Sequence, residues 1–465
     1  MNRQLLRLGS VLAVVALATA CSSDNDGSGG KDAGVDAGTD AGTDAGNNVV
    51  HVDPAMSETA ISSAFSGASA DSTIQMAAGI YHFTNSLNLA TADNITVKGA
   101  GIDSTVLDFS TQVAGADGVV QSIPLGSTVK TIFQDFSIWD TAGDGIKVVG
   151  ATGVHIEGIG VSWPSRADHG GYGIYPVQSR NVLVENCVVE GASDTGIYVG
   201  QSDGIVVRNN VLNGNVAGIE IENSFNADVY GNDSHNNTAG FLVFDLPNLP
   251  QVGGHNVRVF DNTFTDNNLP NYGDPSGTVA RIPAGTGGAV MANSKVEIFG
   301  NTFSGNETAA VAVISCFLGL DSSTPGACTS SPGYAPVPTL IWVHDNTFSN
   351  NGRDPIGHNP DMNHPSFELA LFLFSGFPPA PGDPGWLDGH VADVLWDGVV
   401  ILGNGMNPYS ICAQNNSAST FHFANLHFPQ VAAGSPLNET LISDEMEFSC
   451  MPQGFPLPAV PVPTF

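Results

Sequence analysis

VLVENCVVEG, from Val182 to Gly191, is followed by IVVRNNVLNG from Ile205 and ADVYGNDSHN from Ala227. The phrase returns at wider intervals as VRVFDNTFTD from Val257, VEIFGNTFSG from Val296 and IWVHDNTFSN from Ile341. In each copy apolar residues alternate over a short run, the period-two pattern of a half-buried strand, and Asn or Gly then closes the run as a turn. We read Asn186, Asn209, Asn232, Asn262, Asn301 and Asn346 as one register. A second phrase sits one strand earlier: Asp144-Gly145-Ile146, Tyr172-Gly173-Ile174, Thr195-Gly196-Ile197, Ala217-Gly218-Ile219 and Ala239-Gly240-Phe241, with glycines 28, 23, 22 and 22 residues apart. A unit this short is smaller than a propeller blade and lacks a leucine frame. It fits one coil of a solenoid whose strands stack in parallel about 4.8 Å apart, right-handed because parallel crossovers take that hand. The expected fold is all-β: a right-handed single-stranded parallel β-helix over residues 49–410. Asparagines stacked at this spacing form an internal ladder, bonding to each other and to turn backbones, so their work is structural.

Composition agrees. Fifty-five glycines, 13 Lys plus Arg and 12% charged residues describe a turn-rich β protein rather than a helical bundle. A net charge of −32 argues against nucleic acid as a partner. At the start, Arg3 and Arg7 precede the apolar run Val11–Ala18, so residues 1–20 read as a secretory signal. Leu17-Ala18-Thr19-Ala20-Cys21 resembles a bacterial lipobox, which implies lipidation at Cys21 and attachment to a lipid bilayer, the outer membrane of a Gram-negative bacterium. The DAGVDAGTDAGTDAG tract within residues 21–48 is a polar, acidic tether that cannot bury a core. Ser57–Ser66 reads as a short helix capping the first coil, and residues 411–465 as an irregular C-terminal cap with a Pro-rich tail. Export permits disulfides, expected between Cys316 and Cys328 and between Cys412 and Cys450. Cys187 is left as a buried wall residue, and the absence of a CxxC spacing gives no cysteine metal site. A monomer is expected.

The register also predicts a surface. Ile146, Ile174, Ile197, Ile219 and Phe241 point inward, so Lys147, Tyr175, Tyr198, Glu220 and Leu242 form one outward column, beside Val149, Val177, Gly200, Glu222 and Phe244. This strip is expected to face solvent and to suit a sugar chain. Ser162–Gly171 is an insertion above it, supplying Trp163, Arg166, Asp168 and His169, followed by Tyr172, which the alternation turns inward. Asp194 lies beside the same loop. We therefore take His169, Tyr175, Tyr198 and Glu220 as candidate proton-transfer residues, and Lys147, Trp163, Arg166, Asp168, Asp194 and Glu222 as candidate substrate contacts. No metal ligand set is assigned, although Asp194, Glu220 and Glu222 could hold Ca²⁺. The segment Gly357–His364, with two histidines around Asp361, and the Pro-containing loop Asp245–Pro250 read as surface turn and architectural loop.

AAGIYHF from Ala77, DNITVKGAG from Asp93 and STVLDFS from Ser104, together with the repeats, resemble the bacterial parallel β-helix proteins of the pectin-lyase-like superfamily. YGIYPVQSRNVLVENC and AGIEIENSFNADVYGN resemble its exported lipoprotein members. The resemblance implies a polysaccharide partner and either lyase or C5-epimerase chemistry on uronates or noncatalytic binding of glycans or proteins. The epimerases and some lyases carry an Asp-Pro-His loop and a tyrosine; here Asp168-His169 lacks the proline.

Overall fold

The computed structural model describes residues 48–321, 328, 332–370, 391–398, 411–417 and 454–465, except 125 and 368, and the backbone of the short strands Thr43–Asp44, Phe423–Asn425 and Leu441–Ser443. Cys21, Cys450, residues 1–20 and most of the tether lie outside the described residues.

One coil shows the plan. Strand Thr195–Gly200 leads to Asp203–Arg208 and Val211–Asn213, and the chain returns to Ala217–Glu222 in parallel register with the first strand, Tyr198 opposite Glu220. The first strands of successive coils build a sheet of 12 strands, and the second and third strands build one of 21. Antiparallel pairs occur at the two ends, Thr43–Asp44 with Val49–Val52 and Phe423–Asn425 with Leu441–Ser443. Helix Glu58–Ser66 shields the first coil by burying Ile61 and Phe65; Ser57 starts it, its hydroxyl accepting the Ala60 N–H.

The inward residues are those the alternation selects: Ile146, Ile174, Ile197, Ile219 and Phe241 are buried. The glycine before each of them also faces inward. A Cβ on Gly240 would lie 2.4 Å from the Gly287 carbonyl oxygen and 2.8 Å from Phe264 Cδ1. Two consecutive positions thus point into the lumen and the residue before the glycine turns outward. Tyr172 is therefore outside, stacked on Tyr175 and tilted against Tyr198, contrary to the inward placement expected from strict alternation. Gly240→Ala is expected to lower stability by roughly 2–3 kcal/mol through overpacking, read as a lower midpoint in denaturant unfolding.

The corners are held by ladders. At one corner Asn210, Asn232, Asn262, Asn301, Asn346 and Asn416 pass hydrogen bonds upward, each amide nitrogen donating to the next side-chain oxygen at 2.9–3.1 Å. The expected register was one residue off at its start. Asn186 and Asn209 are left-handed turn residues (φ 55° and 56°), while Cys187 and Asn210 take the interior position. Glu185-Asn186-Cys187 and Arg208-Asn209-Asn210 both place an asparagine at the turn, where a left-handed backbone favours it. Cys187 is buried and free, its thiol pushed up to about 12 by burial. A second ladder, Asn215, Asn237, Asn267, Asn306 and Asn351, occupies the next corner, and Ser179, Ser202 and Ser224 form a third.

Outward-facing does not mean solvent-exposed here. Leu242, Phe244, Ala289, Met291, Ala312, Ile314 and Leu395 lie on the outer face of the 12-stranded sheet, yet they form a second core with Val279, Ile282, Leu318 and Leu369 from the insertions. The insertions that lengthen the later coils fold back over that face. Burying apolar side chains there stabilises by about 25 cal/mol per Å², which a protruding loop would forgo. Cys316 and Cys328 are bridged inside this layer. Cys412 is also disulfide-bonded.

Candidate functional site

The same covering corrects the reading of the outward strip. Tyr198, Glu220 and Glu222 are buried, and Lys147, Tyr172, Tyr175 and Asp194 remain partly open, so that a partly open rim borders a floor of buried carboxyls, the candidate cleft. Strands Ile146–Val149, Tyr172–Val177, Thr195–Gly200 and Ala217–Glu222 carry them on four successive rungs. Three tyrosines pack as one aromatic group, with ring centroids 4.6 Å (Tyr172–Tyr175), 4.8 Å (Tyr172–Tyr198) and 4.9 Å (Tyr175–Tyr198) apart. The Lys147 ammonium lies 5.1 Å from the Tyr175 ring centre and pairs with Asp144 at 3.0 Å and Asp117 at 3.3 Å. Burial works against that ammonium, but the two aspartates outweigh it and raise its pKa.

On the floor the Tyr198 hydroxyl donates to Glu222 Oε1 at 2.6 Å, and the Thr195 hydroxyl lies 2.8 Å from Glu220 Oε2 and 3.1 Å from Asp194 Oδ1. Asp194 also accepts from Tyr172. Burial is the largest influence on each carboxyl. It pushes Asp194 up to about 6 against the hydrogen bonds from Thr195 and Tyr172, and Glu222 to about 7 against that from Tyr198. Glu220 is raised well above the ordinary carboxylate value, by burial and then by Glu222 and Asp194. Tyr175 is raised to about 12 and Tyr198 well above the ordinary phenol value, both first by burial, so these phenols stay protonated near neutral pH. The floor therefore combines carboxyls that exchange protons near neutrality with hydroxyl donors in direct contact.

Groups whose folded pKa is raised bind protons more tightly folded than unfolded, so they favour the folded state at low pH and lose that contribution as pH rises through the folded value. For Glu222 the window runs from 4.5 to about 7. Melting temperature should fall across it, and the fall should be shallower in Glu222→Gln, which keeps an acceptor for Tyr198.

The insertion above the strip is held chiefly by its own contacts. Trp163 is buried and donates to the Thr141 carbonyl at 2.8 Å. His169 stacks on Trp163, and its Nδ1 lies 2.5 Å from the Gly191 carbonyl, which makes Nδ1 the protonated nitrogen. Its ring also meets Tyr272 edge-on, and the Tyr272 hydroxyl lies 2.8 Å and 2.7 Å from the carbonyls of Ala192 and Gly214. Arg166 Nε donates to the Asp168 carbonyl, and Asp140 holds the loop through the N–H groups of Ser165 and Arg166. Among the described contacts none joins Trp163, Arg166, Asp168 or His169 to the tyrosine and carboxylate group. These residues set the wall; Lys147, Tyr175, Tyr198, Asp194, Glu220 and Glu222 come together as the cleft.

A sequence model described as the right handed beta helix region matches residues 78–278 and 144–324, together more than half of the chain. The chain belongs to the right-handed β-helix family. Solved structures similar to this right-handed β-helix include the A-modules of two mannuronan C-5 epimerases of Azotobacter vinelandii. AlgE4 is 15% identical, with 77% of this chain and 89% of that one covered at a TM-score of 0.44. AlgE6 is 20% identical, with 63% and 81% covered at 0.40. The catalytic unit of a GH87 α-1,3-glucanase from Streptomyces thermodiastaticus is 17% identical, with 77% and 52% covered at 0.44. At these identities and scores no activity passes to this chain. No curated protein matches it.

Tyr172, Asp144, Asp117 and Thr195 joined the β-helix cleft without being singled out from sequence as site residues. Three of them share a signal, since Asp144, Tyr172 and Thr195 each precede a repeated glycine and so turn outward. Elsewhere, His155, Glu157 and Glu185 place ligand atoms within 4.8 Å of one another on the other sheet and could hold a metal ion. Glu185 is already paired with Arg208 at 2.6 Å and with His155 at 2.9 Å. In the Gly357–His364 segment, Asn359 is buried and exchanges hydrogen bonds with the backbone of Ala284, while His364 Nδ1 lies 2.9 Å from the Ser366 hydroxyl. Asp245 accepts the N–H groups of Gly253 and Gly254, an architectural use.

Proposed function

We propose that this protein binds polysaccharide in the cleft of Tyr172, Tyr175 and Lys147 and acts on it by proton transfer at the Tyr198–Glu222 pair. The observation that carries this reading is the 2.6 Å contact between a protonated phenol and a buried carboxyl that titrates near neutrality. A general acid or base is most effective with a pKa near the working pH. The partly open faces of Tyr172 and Tyr175 suit sugar rings, and the Lys147 ammonium would exchange Asp117 or Asp144 for a uronate carboxylate, which favours lyase or C5-epimerase chemistry on uronates. Cys21 would carry the lipid that holds the protein at the outer membrane.

The test is incubation of the purified protein with uronate and neutral polysaccharides, with and without Ca²⁺. Ultraviolet absorbance detects unsaturated ends and proton NMR the epimer ratio. Turnover lost in Glu222→Gln supports catalysis. The engagement of His169 by Gly191, Trp163 and Tyr272 favours a second reading, a noncatalytic glycan-binding module. Retention in affinity electrophoresis without any product would establish that reading. Loss of membrane association in Cys21→Ser tests the anchor.

A further inference from the structure

The 21-stranded sheet has an outward column running across seven rungs: His155, Leu183, Val206, Asp228, Arg258, Glu297 and Trp342, each paired in register with the next. Outward positions on such a sheet are ordinarily wet. Here Leu183, Val206, Asp228, Glu297 and Trp342 are all buried. The C-terminal segment contacts this column at successive points. Phe455 packs edge-on against Trp342 with centroids 5.7 Å apart. The Leu457 N–H donates to Glu297 Oε2 at 2.8 Å, and the Val460 N–H to Asp228 Oδ2 at 3.0 Å. Phe465 stacks on His155 with centroids 4.9 Å apart.

The spacing identifies the conformation. A polyproline II chain advances about 3.1 Å per residue, so the three residues from Leu457 to Val460 span about 9.3 Å. The two rungs from Glu297 to Asp228 span about 9.6 Å. From Phe455 to Phe465 the same rise gives about 31 Å, and the six steps from Trp342 to His155 give about 29 Å. Leu457, Val460 and Pro463 are turned toward the protein while Pro458, Pro461 and Thr464 are exposed, the threefold period of that helix. Pro456, Pro458, Pro461 and Pro463 supply the preference for it. The two accepting carboxylates are fixed from behind, Asp228 by Arg258 and Glu297 by His344 at 3.2 Å.

We propose that this column is a recognition groove for an extended proline-rich peptide, and that its occupant is the chain's own residues 454–465, docked in cis as a built-in ligand. The groove reads two N–H groups three residues apart and an aromatic residue at each end. Its ligand is preorganised, since a polyproline helix loses little entropy on docking.

The test uses the chain ending at residue 453 and a synthetic peptide of residues 454–465, followed by calorimetry and Trp fluorescence. Saturable one-to-one binding to the shortened chain, with none to the full chain, is expected. Methylating the peptide nitrogens of Leu457 and Val460 should weaken it at least tenfold, because the two donors are removed, whereas methylating the nitrogen of Ala459 should weaken it less. A shortened chain that keeps its β circular dichroism and cooperative melting but ignores the peptide overturns the proposal. If the shortened chain does not fold, amide exchange is measured on the full chain. Protection of Leu457 and Val460 that falls at least tenfold in Glu297→Ala supports the groove, and fast exchange in the unaltered protein overturns it. A full chain that is dimeric at micromolar concentration, and whose tail is shielded only in the dimer, overturns docking in cis.

Discussion

Asn262→Ala is expected to destabilise the protein by about 4 kcal/mol, whereas Asn186→Ala should cost well under half of that. Asn262 Oδ1 accepts the backbone N–H of Asn232 at 3.0 Å and its side-chain amide at 2.9 Å, while its own amide donates to the Val229 carbonyl at 2.9 Å and to Asn301 Oδ1 at 3.0 Å. Removing it leaves several buried polar groups without their partner, each costing about 1–3 kcal/mol. Asn186 is exposed and contributes its tolerance of a left-handed backbone. Because coils contact only their neighbours, the loss should open the flanking rungs first. Denaturant midpoints of the two variants measure the difference, and hydrogen exchange locates it. Equal effects would mean that the ladder contributes no more than the turn.

The second large effect concerns the cleft. If the protein turns over a glycan, Glu222→Gln should lower kcat by at least about 100-fold while leaving KM within a few-fold. Glutamine keeps the size and the acceptor for Tyr198 but cannot exchange a proton. Tyr198→Phe should lose a comparable factor, and the double variant should be little worse than either single one, since the two groups act as one unit. A matched rise in KM with unchanged kcat would move both residues from proton transfer to binding. His169→Ala should act chiefly on stability, because its ring bridges the wall loop to Tyr272 and Gly191.

The solenoid was legible because a coil's pattern is local: strand alternation, turn asparagines and an inward glycine recur within about 22 residues, and stacking then follows. Lys147, Tyr175, Tyr198, Glu220 and Glu222 could be aligned for the same reason, as one rung places each beside the next. Where the local pattern was ambiguous, as in Asn209-Asn210, adjacent identical residues hid which one pointed inward. Only the hydrogen bonds between rungs separated turn from ladder.

What sequence alone determined was the repeating unit and the order of side chains along its outer faces. What only the tertiary structure decided was which of those faces meets water. Loops between 269 and 370 and the tail from Gly454 reach surfaces far away in sequence, and their packing turned an exposed strip into a cleft with buried carboxyls and an exposed column into a groove. Desolvation sets the acidity of Asp194, Glu220 and Glu222, and desolvation depends on what covers a residue. No periodicity within a coil carries that information, because the covering segments are the parts of the chain that do not repeat.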